Sequence, residues 1–288
     1  METNLRQANA KVSVAGVVSE IDLKPEVKDG KNVIKGSLTV QTSADNFVRF
    51  NVMVNETTKN GDTNKTYAGI QTVMNEYKSI AKVGVDDADR VFVNGDLNIF
   101  TGQNGTSVGY KSNFFNRAKS LEDFEPKAEF SVEVYITQIV PEIKNDEETG
   151  RVLVKGWVPT YNLIEPITLV APKEIAGAID STFAPGQTAE FYGDCINSRV
   201  EKVTEIPVAI GKPRKKVETS YVNELVITGA SEPYEEGVSK EKPYDADTIH
   251  AAIREREAAL AEAANKAANA AKANTKPSGA KAGRTLGF

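Results

Sequence analysis

The side chains in this chain that could do chemistry are cations and rings rather than nucleophiles. Cys195 is the sole cysteine and His250 the sole histidine. A serine-hydrolase triad, a His-rich zinc site and a histidine acid–base pair are therefore close to excluded by count, and a Cys-based metal site is not expected. Cys195 sits in an apolar run beside Gly193 and Asp194 and reads as a buried structural thiol. What remains is a set of basic and aromatic residues at strand spacing: Lys35, Phe47 and Arg49, Lys111, Tyr135, Lys155 and Trp157, and Arg214 and Lys215. Rings that stack on bases beside cations that meet phosphates suit a single nucleic-acid strand. The plainer reading of the same residues is a solvated sheet surface, with Trp157 packed under a loop.

The elements that would position these residues are strands. Lys11–Ile21, Val33–Thr42 and Phe47–Asn55 each alternate apolar and polar residues, which predicts a half-buried antiparallel sheet. Lys35, Phe47 and Arg49 fall on its polar face. Asp22–Lys31 reads as a mobile, lysine-bearing hairpin loop. Tyr67–Val83 has helical spacing, and Arg90–Thr101 and Ser107–Arg117 read as two further strands joined at Asn104-Gly105. Three strands, a helix and two strands is the order of an OB-fold, a small barrel that binds oligonucleotides across its second and third strands.

The pattern restarts after a charged linker at Leu121–Lys127. Strands are expected near Phe130–Thr137, Arg151–Thr160, Leu163–Ala171, Thr188–Val200 and Ser220–Thr228, with a short helix at Lys173–Asp180. Two matches suggest duplication: Val33-Ile34-Lys35-Gly36 with Leu153-Val154-Lys155-Gly156, and Asn94-Gly95-Asp96 with Tyr192-Gly193-Asp194. The second copy would present Tyr135, Arg151, Lys155 and Trp157 on an open face. The acids of Glu142–Thr149 oppose phosphate there, and the basic run Gly211–Lys216 compensates.

The fold class is thus mainly β: two tandem OB-fold-like five-stranded barrels, with a C-terminal Ala-rich helix and a disordered tail. The division is 1–10 flexible arm, 11–119 first domain, 128–230 second domain, and 231–288 acidic linker, helix and basic tail. Asp245 or Asp247 caps a helix over Thr248–Lys272, with Ile249, Ile253 and Leu260 as its apolar stripe. In the 288-residue chain no apolar run is long enough for a membrane helix, and Met1 to Lys11 carries no signal-peptide core. A cytoplasmic location is expected, with no cofactor and no metal. The net charge of −5 makes any nucleic-acid contact a local matter.

The first copy resembles the single-stranded DNA-binding proteins of bacteria and their phages. The likeness lies in Asn9-Ala10-Lys11-Val12-Ser13-Val14-Ala15-Gly16, in Lys24-Pro25-Glu26 and in Gly36-Ser37-Leu38-Thr39-Val40, and covers about the first third of the chain. The two-domain plan looks more like a phage-encoded type. The resemblance implies non-enzymatic binding of unpaired DNA without sequence preference, and its protection in replication or recombination. It also implies a tail ending in Phe that recruits replication or recombination proteins. Phe288 matches, but basic residues stand where that family has an acidic run. The rival readings are a β-rich virion or tail protein that ignores DNA, a binding module for protein or sugar, and an enzyme using a metal at Asp86, Asp87 and Asp89.

Overall fold

The computed structural model describes residues 5–102, 105–120, 122, 124–161, 164–206, 214–239 and 241–274. Strand β1 (Ala10–Lys28) hydrogen-bonds through its second half to β2 (Lys31–Gln41), and β2 to β3 (Phe47–Asn55). After helices α1 (Lys65–Glu76) and α2 (Ile80–Val83) come β4 (Arg90–Gly102), β5 (Gly105–Lys111) and the short β6 (Phe115–Arg117). β5 pairs in parallel with β3 and antiparallel with β4, and β4 returns to the first half of β1. The ladders thus run β1–β2–β3–β5–β4 and back to β1.

The second half repeats that circuit with β7 (Lys127–Lys144), β8 (Glu147–Pro159), β9 (Ile164–Ala171), α3 (Lys173–Thr182), β10 (Thr188–Ile206) and β11 (Arg214–Ala230). Its ladders are β7–β8, β8–β9, a parallel β9–β11 contact, β10–β11 and β10–β7. The halves are joined by an antiparallel ladder in which Ala10–Ala15 of β1 face Val132–Lys127 of β7. All strands therefore belong to one 11-stranded sheet. One apolar core runs from Val14, Phe50 and Val93 to Phe130, Ile136 and Ile227.

The alternation in the sequence is the reason these strands form. Val48, Phe50, Val52 and Val54 are buried, while Arg49, Asn51 and Met53 between them are exposed. Two expected loops are instead hairpin arms. β1 and β2 continue to a tight turn at Asp29-Gly30 (φ 51° and 74°), and β7 and β8 to one at Asn145-Asp146 (φ 53° and 64°). Both central residues of each turn are left-handed, which matches the twist of the flanking strands.

The expected helix Tyr67–Val83 is broken. Asn64 caps α1 by accepting from the Thr66 N–H at 3.0 Å, and the backbone turns extended at Tyr77. The Tyr77 hydroxyl donates to the Phe115 carbonyl at 2.7 Å, and the Arg117 guanidinium lies 4.2 Å from its ring centroid. The expected strand Ser107–Arg117 also splits. Ser112 Oγ donates to the Asn94 carbonyl at 2.8 Å and accepts from the Phe114 N–H at 3.0 Å. That turns Phe114 outward and Phe115 inward against Phe50.

The registers identify equivalent positions. Val12 faces Gly95 across β1 and β4, and Phe130 faces Gly193 across β7 and β10. The β1–β2 register shifts between Val18 and Glu20, and the β7–β8 register shifts at the same distance along, between Ile136 and Gln138. The Asn-Gly-Asp and Tyr-Gly-Asp match is therefore in register. The Lys35-Gly36 and Lys155-Gly156 match is not: Gln41 faces Val17 as Trp157 faces Tyr135, so Gly156 is equivalent to Val40.

Segments outside the circuits are packed rather than free. Ala8 is buried and its N–H donates to the Pro159 carbonyl at 2.9 Å. Arg6 Nη1 and the Asn9 N–H donate to the buried Glu133 carboxylate at 2.8 and 2.7 Å. The Tyr234 and Tyr244 hydroxyls donate to the same carboxylate at 3.1 and 3.4 Å. The expected flexible arm and acidic linker are thus held by one carboxylate in the sheet, because a buried charge is tolerated only when surrounded by donors. Helix α4 (Ala246–Asn274) follows, with Asp245 Oδ2 accepting from the Thr248 N–H at 2.8 Å. Its Ile249, Ala252 and Arg256 are buried. The expected disordered end, with Phe288, lies outside the described residues.

A Cβ added at Gly95 would stand 2.3 Å from the Lys111 carbonyl oxygen, and one at Gly193 2.0 Å from that of Val226. Urea denaturation of Gly95→Ala and Gly193→Ala is expected to show each variant destabilised by about 1–3 kcal/mol, the usual range for forced overpacking.

Candidate nucleic-acid interface

The outward faces of β3, β5 and β4 carry the side chains closest to the expected chemistry. Asn51 faces Lys111 across β3 and β5, and Lys111 faces Asp96 across β5 and β4. Asn51, Met53, Asn94, Lys111, Asn113 and Phe114 line a groove of about 620 Å³. Phe114 is 62% exposed and Met53 54%. Arg49 precedes Asn51 on the same face and is exposed, and Phe47 beyond it is half-buried. A methyl group at Gly109 would lie 3.7 Å from Asn51 Nδ2 and 3.8 Å from the Phe100 ring, so the exposed Phe100 leans over that glycine toward Asn51.

Among the described residues, the Arg49 and Lys111 side chains have no ion-pair or hydrogen-bond partner. The facing carboxylate, Asp96, is neutralised by Lys11 at 2.6 Å. Among the described residues the face thus holds two cations without a side-chain partner, several amides and exposed apolar rings, with Asp96 already paired. Lys35 is less available, because its ammonium lies 2.6 Å from Glu26. Such exposed pairs are worth at most about 1 kcal/mol, so a phosphate could compete for it.

The second half does not present the open face expected of it. Tyr135 is buried, 5% exposed, and burial raises its hydroxyl pKa above the ordinary value. Trp157 packs against the core, and the Arg256 guanidinium of α4 lies 5.5 Å from its ring centroid. Arg256 Nη2 also bonds Glu165 at 2.8 Å. Lys155 is half-buried on β8, facing Thr168. Arg151 Nη2 donates to Glu224 at 2.8 Å, and its Nε lies 3.1 Å from Glu142.

Of the acids expected to repel phosphate, Glu142 is structural, while Asp146, Glu147 and Glu148 are exposed at the tip of the β7–β8 arm. Glu142 is buried and accepts from Thr149 Oγ1 at 2.8 Å, with Lys144 3.2 Å away. Burial opposes its ionisation, but these partners outweigh it and its pKa lies below the ordinary value.

Equivalence across the halves makes the contrast specific. Phe47 faces Gln41 and Pro166 faces Trp157, so Phe47, Arg49 and Asn51 correspond to Pro166, Thr168 and Val170. Asn51 faces Lys111 and Val170 faces Val226, so Lys111 corresponds to Val226. The cationic face of the first half is neutral and apolar in the second.

Arg214 and Lys215 sit at the far end of the β10–β11 arm, opposite Ile206 and Glu205. Gly211, Lys212 and Pro213 of the same basic run lie outside the described residues. Lys35, Phe47, Arg49 and Lys111 therefore share one region, and Tyr135, Lys155, Trp157, Arg214 and Lys215 do not join it. Sequence reasoning missed Phe100 and Phe114. The available signal for Phe100 was an aromatic residue at the polar parity of β4. Among the described residues no group of His, Cys, Asp or Glu is placed to hold a metal. Asp89 instead accepts from the Lys78 N–H at 2.8 Å and pairs with Arg117 at 3.1 Å. No helix among them is long and apolar enough to cross a membrane.

The YorF family model matches residues 9–266, and the chain belongs to that family. No curated protein matches it. Among solved structures it is similar to the wild-type single-stranded DNA binding protein from Thermus aquaticus. That pair is 10% identical over 82% of this chain and 98% of the other, with a TM-score of 0.47. A deletion mutant of the same Thermus aquaticus protein gives 10% identity over 82% and 99%, with a TM-score of 0.44.

Cys195 is fully buried, and desolvation pushes its thiol pKa up to about 12. It is expected to ignore a disulfide reagent at pH 8 in the folded protein and to react fully once urea unfolds the chain, with the released thiolate followed by absorbance.

Proposed function

We propose that this protein binds single-stranded nucleic acid, DNA in the first instance, without sequence preference and without catalysis. The observation that carries the reading is that Arg49 and Lys111, whose side chains have no partner among the described residues, lie beside exposed Phe100, Phe114 and Met53 on one side of the sheet. Cations of this kind hold a phosphate backbone, and aromatic faces accept any base. Phe47, Arg49, Asn51, Lys111 and Phe114 are the contacts proposed, with Lys35 joining when phosphate displaces Glu26.

Each ladder circuit is read as an OB-type unit, the first over 11–119 and the second over 128–230. The first binds and the second braces it. Arg214 and Lys215 are proposed as outlying phosphate contacts on the β10–β11 arm. Coating of unpaired DNA in replication or recombination, recruitment of other proteins through Phe288, and a phage-encoded type belong to the same proposal.

Fluorescence anisotropy with a labelled oligothymidine of about 30 bases, against a duplex of equal length and over a salt series, tests this. Binding is expected for the single strand alone. In the Arg49→Ala/Lys111→Ala double variant the slope of log affinity against log salt should shrink by about 1.4, from about 0.7 per lost phosphate contact. Trp157 emission should stay unchanged in the titration, because Arg256 covers the ring. Failure of the wild-type protein to bind the single strand at low salt overturns the reading and favours a role in assembly.

A further inference from the structure

A second groove adjoins the first. Gln7, Lys11, Asn98, Lys111, Tyr161 and Glu165 are among the residues lining a cleft of about 470 Å³ between the two halves. It shares Asp96 and Lys111 with the groove at Phe114. The pairing register explains why the two are continuous. Asn51, Lys111, Asp96 and Lys11 lie in one row across β3, β5, β4 and β1. At about 4.8 Å per strand that row is roughly 14 Å long.

The carboxylates in the cleft are already neutralised. Asp96 is paired with Lys11, and Glu165 with Arg256 at 2.8 Å. Lys111 stands at the junction as a free cation. The far wall is Tyr161, which follows β8 and is 83% exposed.

We propose that Tyr161 is a second stacking platform, and that a single strand lying on the first-half face crosses over Lys111 and enters the cleft between the halves. The strand chemistry is that already proposed: a phosphate over Lys111, with bases against Phe114 on one side and Tyr161 on the other. The second half then serves the site through Tyr161, just past the end of β8, although its own equivalent face carries no cation. This rests on the single-strand reading above and extends it.

The test compares two oligothymidines on the full-length protein. One of about 4 bases fits the first groove, and one of about 16 bases reaches both, the two ends of the range usual for one such fold. Tyr161→Ala is expected to weaken the long oligonucleotide roughly tenfold and to leave the short one unchanged, in line with the loss of one stacked base. Tyr161→Phe should restore wild-type affinity, since stacking needs the ring and not the hydroxyl. Thermal melts of both variants should match wild type, because the residue is exposed.

Equal loss for both lengths, or no loss for either while Arg49→Ala/Lys111→Ala still loses both, overturns the cleft path and leaves the first-half site standing. Binding of neither oligonucleotide by wild type overturns the single-strand reading and this inference together.

Discussion

The ladder between β1 and β7 is the constraint on which the rest depends. Each of these strands hydrogen-bonds on both edges over the same stretch, β1 to β4 and β7, and β7 to β10 and β1. A strand with both edges occupied cannot shift register without breaking two ladders at once, and a one-residue slip would expose its whole apolar set. The sheet also passes close to neighbouring backbone at Gly95 and Gly193, where there is no room for a side chain. The two halves are consequently one body with one core rather than beads on a linker. A cleft between them is a fixed feature of the surface.

The near-symmetry of the halves is used asymmetrically. Both circuits have the same ladders and the same register shift, but equivalent positions carry different chemistry. Arg49, Asn51 and Lys111 in the first half stand where Thr168, Val170 and Val226 stand in the second. The second-half set offers no cation to a phosphate, and beside it Arg256 of α4 packs on Trp157 and Glu165. Glu133 gathers Arg6, Asn9, Tyr234 and Tyr244, so the segments before β1 and after β11 are tied to one carboxylate. Removing any single donor leaves that buried charge less compensated, which is far costlier than losing a surface pair.

The charge balance follows the same logic. A chain with net charge −5 presents a free cationic spot because its acids near the site are already spent. Lys11 holds Asp96 and Arg256 holds Glu165. Glu142 in the second half is likewise tied to Lys144, Thr149 and Arg151. Local pairing, not the total, decides what potential an approaching phosphate meets.

By itself the sequence determined the strands and the repeated strand order. Period-two alternation in Phe47–Asn55 names both the buried and the exposed residues, because a strand's side chains can only alternate. The Asp245 cap and the Ile249–Ile253 stripe likewise announce α4. What only the tertiary structure decided is which outward residues remain outward. Trp157 and Tyr135 have the same alternation signature as Arg49, and no local pattern says that a helix about 100 residues later will cover Trp157. The Lys35 and Lys155 match read as a repeat because short strings recur by chance, and only the ladder register exposes the offset. Phe114 faces out because Ser112 turns the chain by bonding Asn94, a residue on another strand. Contacts between positions distant in sequence set these outcomes, and alternation carries information only about neighbours.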